Sequence, residues 1–310
     1  MKQTSTKQGS KLQPGAVITG KWHQHVYKIE RQLGSGAIGF VYLTRRNGEP
    51  AALKISEKGT SLTLEVNVLQ SLAKVQGNRL GPYLLDVDDW IAPDGRCYTF
   101  YVMEYVQGQA VQSFIERRGF EWVGVFLLQL LDDLDQLHEQ GWVFGDLKTA
   151  NLIVTAAPIR IRWVDVGGTT QIGRAIKEYT EFFDRGYWQM GSRKAEPGYD
   201  LFALAMVIIN MAYPNRFEKG AQPKVTLIKN IQKASPLKTY ETCLIKAVKG
   251  QYKTSREMKK DVVNAIDRQQ KNKAPSSKQR QPNESRHLLV ESGSIAMIAL
   301  LYYLTSLILP

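Results

Sequence analysis

Between Trp142 and Asn151 the chain reads Trp-Val-Phe-Gly-Asp-Leu-Lys-Thr-Ala-Asn, and no other stretch restricts it as much. An acid, Asp146, stands two residues before a lysine, Lys148, and five before an amide, Asn151. The apolar run Leu152-Ile153-Val154 follows, and then Asp165-Val166-Gly167. That order supplies the parts a phosphoryl-transfer site needs: a carboxylate for the acceptor hydroxyl, a cation for the phosphate, and an amide and a second carboxylate for a metal.

Upstream, Val26 to Val41 reads strand, glycine turn, strand, with Gly34, Gly36 and Gly39 in the turn. Alternating and β-branched residues on both sides favour a hairpin. The glycines let backbone amides approach phosphate closely, although an ordinary flexible hairpin carries the same residues. A dinucleotide-binding turn requires a helix next, and the strand that follows here argues against one. Ala51-Ala52-Leu53-Lys54-Ile55 reads as a buried strand with one lysine. A charge there is costly without a partner, so Lys54 either snorkels from an edge or grips phosphate while held by an acid. The helical pattern from Ser61 to Val75 offers Glu65 among Leu62, Leu64, Val66, Val68, Leu69 and Leu72. The interval from Lys54 to Glu65 is short, which implies a helix shortened at its start.

Residues 97–108 read as a strand ending in a polar connector. From Glu121 to Gln140 a helical face places Val125, Leu128, Leu131, Leu134 and Leu137 at three-residue steps, widened by Phe126, Leu127 and Leu130. Gly141 is its stop. Ile159 to Val164 is another strand, and residues 168–195 read as a long mobile loop closed by Ala195-Glu196-Pro197. Tyr199 to Met211 is an apolar helix whose one acid, Asp200, can bond nearby backbone amides from its first turn. Further helices are expected at 223–233, 236–249 and 255–270.

The two cysteines, Cys97 and Cys243, have no metal-ligand spacing and read as reduced thiols. The four histidines form no ligand set, and His23 and His25 read as surface residues. The formal charge of +12 is uneven: residues 224–260 carry ten Lys or Arg against two acids. Such a region can meet DNA, anionic lipid or an acidic protein. Only Tyr240 and Tyr252 interleave with it, so nucleic-acid binding through residues 224–287 would be backbone-driven and salt-sensitive. Residues 271–287 read as a flexible basic linker. Residues 293–309 are uncharged and mostly apolar. As a helix they would span about 26 Å, and with Leu288-Leu289-Val290 they reach a hydrocarbon core of roughly 30 Å. A transmembrane tail anchor over 288–309 is expected, with the basic linker keeping the long domain cytoplasmic.

Taken in order, these parts resemble the Hanks-type Ser/Thr protein kinases across residues 26–268, closest to the short membrane-anchored kinases of spore-formers, the YabT-like group. The resemblance implies an α+β, two-lobed fold: a disordered basic segment over 1–20, polar throughout 1–14, a β-rich N-lobe over 21–106, a helical C-lobe over 107–270, then linker and transmembrane helix. It implies ATP and Mg2+ or Mn2+ as cofactors and a protein substrate. Gly34, Gly36, Gly39 and Val41 would cover the nucleotide. Met103, Glu104 and Val106 would line its adenine end, with Tyr105 in the same connector. Lys54, paired with Glu65, would contact phosphates; Asp146 and Lys148 would serve the transfer; Asn151 and Asp165 would hold metal. Glu196 and Asp200 would brace the C-lobe. The sequence departs from the family where Phe144-Gly145 replaces His-Arg before the catalytic acid. Without that arginine the activation loop needs no phosphate for ordering, although Thr169, Thr170, Thr180 and Ser192 remain candidate phosphosites. A small-molecule phosphotransferase or a pseudokinase scaffold are the alternatives.

Overall fold

A computed structural model describes residues 11–36, 39–57, 59–73 and 81–273. The N-terminal part is built from β1 (Val17–Thr19), β2 (Val26–Ser35), β3 (Phe40–Arg46), β4 (Glu49–Ser56), α1 (Gly59–Ala73), β5 (Leu84–Ile91) and β6 (Cys97–Glu104). The six strands form one antiparallel sheet in the order β1-β2-β3-β4-β6-β5. The two-residue period of β4 and β6 sorts their side chains. Leu53 and Ile55, opposite Val102 and Phe100, join Tyr27, Ile29 and Tyr42 in one apolar cluster. Ala52 and Lys54, opposite Met103 and Tyr101, point the other way, toward Leu62, Val66 and Leu69 of α1. One strand thereby delivers a lysine to the face that a helix covers.

The C-terminal part continues with β7 (Gln109–Ala110), α2 (Val111–Arg118), α3 (Trp122–Glu139), β8 (Trp142–Val143), β9 (Leu152–Val154), β10 (Ile161–Trp163), β11 (Thr170–Gln171), α4 (Pro197–Ala212), α5 (Pro223–Lys233), α6 (Glu241–Val248) and α7 (Ser255–Lys273). Val123, Phe126, Leu127, Leu130, Leu131, Leu134 and Leu137 of α3 are buried, and so is nearly all of α4. Short strand pairs, β9 with β7 and β10 and β8 with β11, hold the loops between the helices.

Several expectations change. Val125 is 42% exposed rather than on the core face, because a strict three-residue step drifts off a stripe that repeats every 3.6 residues. Leu64 lies on the outer side of α1. The helix expected over 236–249 divides into a 3-10 turn, Ser235–Tyr240, and α6. Disorder expected through residue 20 gives way at Val17–Thr19, which pairs with β2. β5 had no apolar signature, because three aspartates interrupt it; two of them, Asp86 and Asp88, are buried. The linker expected over 271–287 starts too early, because α7 continues through Lys273; the rest of it and the tail anchor expected over 288–309 lie outside the described residues. Among the described residues no helix is long and apolar enough to cross a membrane.

Candidate active site

Lys54 leaves the centre of β4 with its side chain 8% exposed. Its Nζ lies 2.6 Å from Glu65 Oε2 on α1 and 3.5 Å from Asp165 Oδ1. The Tyr101 hydroxyl, directly across the sheet, donates to the same Glu65 oxygen at 2.6 Å. Burial works against the charge on Lys54, but Asp165 and Glu65 outweigh it and hold the ammonium above the ordinary lysine value. Burial, reinforced by Glu65, drives the Tyr101 phenol well above its usual range, so it stays a donor. Glu65 Oε1 is buried with no hydrogen-bond partner among the described residues.

A second cluster stands on the loop after β8. Asp146 is bonded to Lys148 Nζ through one oxygen and accepts from the Thr180 hydroxyl at 3.0 Å through the other. Lys148 also donates to Thr180 Oγ1 at 3.2 Å, which closes the triangle. The loop is pinned from below. Asp200, fully buried in the first turn of α4, accepts the amides of Phe144 at 2.7 Å and Gly145 at 3.0 Å. His138 Nε2 lies 2.9 Å from Asp200 as well. Phe144 packs edge-on against Trp163. Gly145 has φ +80°, and a Cβ there would collide with the Gly168 carbonyl, so no arginine fits at this position in this conformation.

Asn151 donates Nδ2 to the Asp146 carbonyl at 3.1 Å, which leaves its Oδ1 free of that bond. Asp165, nearly half exposed, accepts the Gly167 amide at 3.0 Å. At the glycine turn, Gly36 N donates to Gly39 O and the chain continues as β3, a hairpin as expected. Only Gly39 is sterically required, since a Cβ there would strike the Ile55 carbonyl; Gly34 and Gly36 face open space. Met103 and Val106 are buried and Val41 is half-buried. Glu104 turns its carboxylate to Arg162 of β10, at 2.5 and 2.9 Å, tying the strand end to the strand that leads into Asp165.

A family model described as the protein kinase domain matches residues 27–282. The chain belongs to the protein kinase family. It is 46% identical to serine/threonine-protein kinase YabT of Bacillus subtilis (strain 168), over 91% of this chain and 84% of that protein. More distant relatives include probable serine/threonine-protein kinase YbdM of the same organism, 25% identical over 52% of this chain and 67% of that one. Another is PknG of Mycobacterium leprae, 26% identical over 52% of this chain and 22% of that one. The chain is thus a serine/threonine protein kinase of the bacterial Hanks type, similar to YabT.

Membership implies ATP and a divalent metal. The residues present fit them: the Asp165 carboxylate and the Asn151 amide oxygen are hard oxygen donors of the kind magnesium and manganese take.

The activation segment differs from the mobile loop that its polar composition suggests. β11 pairs with β8, and Gly173, Ile176 and Ala195 exchange backbone bonds with Ala195, Arg193 and Arg174. Thr180, a candidate phosphosite by sequence, has its hydroxyl committed to Asp146 and Lys148. Glu196, expected to brace the C-lobe, is 43% exposed and pairs with Arg185 at 2.6 Å. The buried brace is Asp184, fully covered, which takes Arg193, the Tyr199 hydroxyl and the amides of Gly186 and Tyr187. Arg256 pairs with Asp135 and Glu139 on α3. Tyr101, Arg162 and Asp184 carried no local sequence signal; each acts through a partner at least one element away.

Proposed function

We propose that this kinase works without an arginine-bound activation-loop phosphate, that residues 288–309 anchor it to the membrane, and that polyanions regulate it through its basic last third. In this reading Asp146 orients the acceptor hydroxyl and takes its proton. Lys148 steadies the transferred group, and Lys54, held by Glu65, positions the nucleotide phosphates. Gly34, Gly36, Gly39, Val41, Met103, Glu104 and Val106 border the nucleotide. Asn151 and Asp165 hold the magnesium or manganese, which supplies charge neutralisation at the phosphates when bound. The observation that carries the reading is the closed triangle of Asp146, Lys148 and Thr180, hung from Asp200 by the amides of Phe144 and Gly145. The segment is ordered by Asp184 and backbone pairing, and the position where an arginine would grip phosphate has no room for one.

Support for the polyanion surface is narrower than the charge count suggests. Acids neutralise Lys238, Lys246, Arg256 and Lys259. Lys224, Lys229, Lys233, Lys249, Lys253 and Lys260 remain exposed with no ion pair among the described residues. That pattern favours phosphate-backbone contact, and DNA is the favoured partner.

One assay tests the catalytic assignments and the polyanion regulation. Full-length protein is given radiolabelled ATP, magnesium or manganese, and a generic protein substrate, with duplex DNA or anionic vesicles added at rising salt. Label on serine and threonine that is lost in Asp146→Ala is expected, with stimulation by DNA that fades steeply as salt rises. Absence of protein label with either metal sinks the catalytic assignments. DNA that changes nothing at low salt sinks the regulatory one, and stimulation by vesicles alone reassigns the surface to lipid.

A further inference from the structure

The sheet has two edges, β1 and β5, and they meet at a place the catalytic reading does not use. The turn between β1 and β2 folds onto β5. Lys21 N donates to the Asp89 carbonyl at 2.7 Å, and Gly20 N to the His25 carbonyl at 2.9 Å. Asp88, buried on β5, accepts the amides of Trp22 at 2.9 Å and His23 at 2.8 Å. A Cβ on Gly20 would overlap that Asp88 carboxylate, so glycine is what permits the close approach. Gln24 takes a left-handed φ of +57° between the two histidines.

The result is convergent. His23 Nδ1 lies 2.7 Å from Asp86 Oδ1, and His25 Nδ1 lies 2.8 Å from Asp86 Oδ2. The Asp86 side chain is 4% exposed, while the two imidazoles are about half exposed. Val87 N and the Tyr27 hydroxyl also bond Asp86 and fix its orientation. One ligand atom from each of His23, His25 and Asp86 falls within 4.8 Å of the others. The sequence placed these histidines on the surface with no ligand set; their third partner sits about sixty residues downstream, beyond any local spacing rule.

We infer that His23, His25 and Asp86 bind one divalent transition-metal ion of the zinc class, which clips the two edges of the N-lobe sheet together. Two imidazoles and a carboxylate are a borderline donor set that suits zinc over magnesium. Zinc bonds of about 2.0–2.2 Å need ligands roughly 3.3 Å apart in a tetrahedron. Each ring nitrogen would draw back from its own Asp86 oxygen while the two nitrogens close on one shared point, a rearrangement that the half-exposed rings allow. Bound through Nδ1, each imidazole would carry its one proton on Nε2, and a water would fill the fourth position. Buried Tyr27 and the Val87 amide keep the carboxylate oriented behind the ion.

The test uses full-length protein stripped with a chelator and held in excess magnesium, so that Asp165 and Asn151 stay occupied. Zinc is titrated against a chromophoric chelator, and cobalt is followed by visible absorption. One equivalent of zinc, an intense low-coordinate cobalt spectrum and a higher thermal midpoint are expected. The double variant His23→Ala/His25→Ala should weaken zinc by more than about 100-fold, beyond the cost of losing an outer-shell group, with magnesium-dependent kinase activity retained. In the unaltered chain, ring-nitrogen NMR should show zinc on Nδ1 of His23 and His25. No bound equivalent, zinc on other histidines, or undiminished binding by the double variant overturns the site.

Discussion

Lys54, Glu65 and Tyr101 form a cation, an acid and a hydroxyl; so do Lys148, Asp146 and Thr180. The chemistry is nearly the same and the setting is not. The first triad is carried by β4, α1 and β6, regular elements whose spacing the backbone fixes, with lysine and acid side chains 8% and 2% exposed. The second stands on two loops, its lysine and acid 24% and 15% exposed, and is positioned from beneath by Asp200. In the buried triad a charge removed from one partner strands the other in low dielectric, so the triad is part of what keeps the N-lobe folded. In the open triad water can replace a lost partner. Its cost should fall on chemistry rather than on stability.

Removing the cation from the buried triad should break the comparison most visibly. Lys54→Met leaves Glu65 buried with only Tyr101, and loss of one partner of such a pair costs roughly 3–5 kcal/mol. Denaturant unfolding should report a loss of that order, together with loss of phosphotransfer. The alkaline limb gives a second reading. The pKa of Lys54 is raised in the folded state. Its contribution is therefore complete below the unfolded value of roughly 10.4 and fades as pH rises through the folded value. That limb should flatten in Lys54→Met. A variant as stable as the parent at pH 7 would place the charge in water after all.

The open triad should answer in the opposite currency. Thr180→Val removes the hydroxyl that joins Asp146 to Lys148 and should lower kcat by about 10–100-fold, the scale of a mispositioned reactive group. Stability should change by about 1 kcal/mol or less. Thr180→Ser, which keeps the hydroxyl, should retain most of the rate. Equal losses in the serine and valine variants would mean that Thr180 acts by shape alone.

The two triads also differ in how far the sequence exposes them. Asp146, Lys148, Asn151 and Asp165 sit on neighbouring segments, and their order along the chain carries the signal. Lys54 is conspicuous because a lone charge in an apolar strand demands an acid, and Glu65 is the acid the next helix offers. Tyr101 and Thr180 are invisible by the same logic. A tyrosine in an apolar strand reads as packing until the register sets it opposite Lys54. A threonine in a polar loop reads as a phosphosite until the segment folds back onto Asp146. Asp86 and Asp88 go further: they erase the strand that holds them from the hydrophobic pattern, because their partners are backbone amides and histidines of a distant turn. Periodicity reports which face meets the core; it does not report which polar groups meet each other.

The smallest expected effect sharpens the buried triad itself. Tyr101 can be a wall that fills space beside Glu65, or a donor that fixes which Glu65 oxygen faces Lys54. Tyr101→Phe keeps the ring and removes only the hydroxyl. Glu65 Oε1 already lacks a partner among the described residues, so Oε2 would then hold Lys54 unaided. A hydrogen bond to a charged group is worth about 1.5–3 kcal/mol, partly offset because the phenol no longer has to be desolvated. A net loss near 1 kcal/mol, or about fivefold in kcat/KM, should follow. The loss should be concentrated in the KM for ATP if Lys54 drifts from its place, and in kcat if it stays but is less well aligned. A phenylalanine variant with both constants and its unfolding midpoint unchanged would make Tyr101 a wall, and leave the Lys54–Glu65 pair self-sufficient.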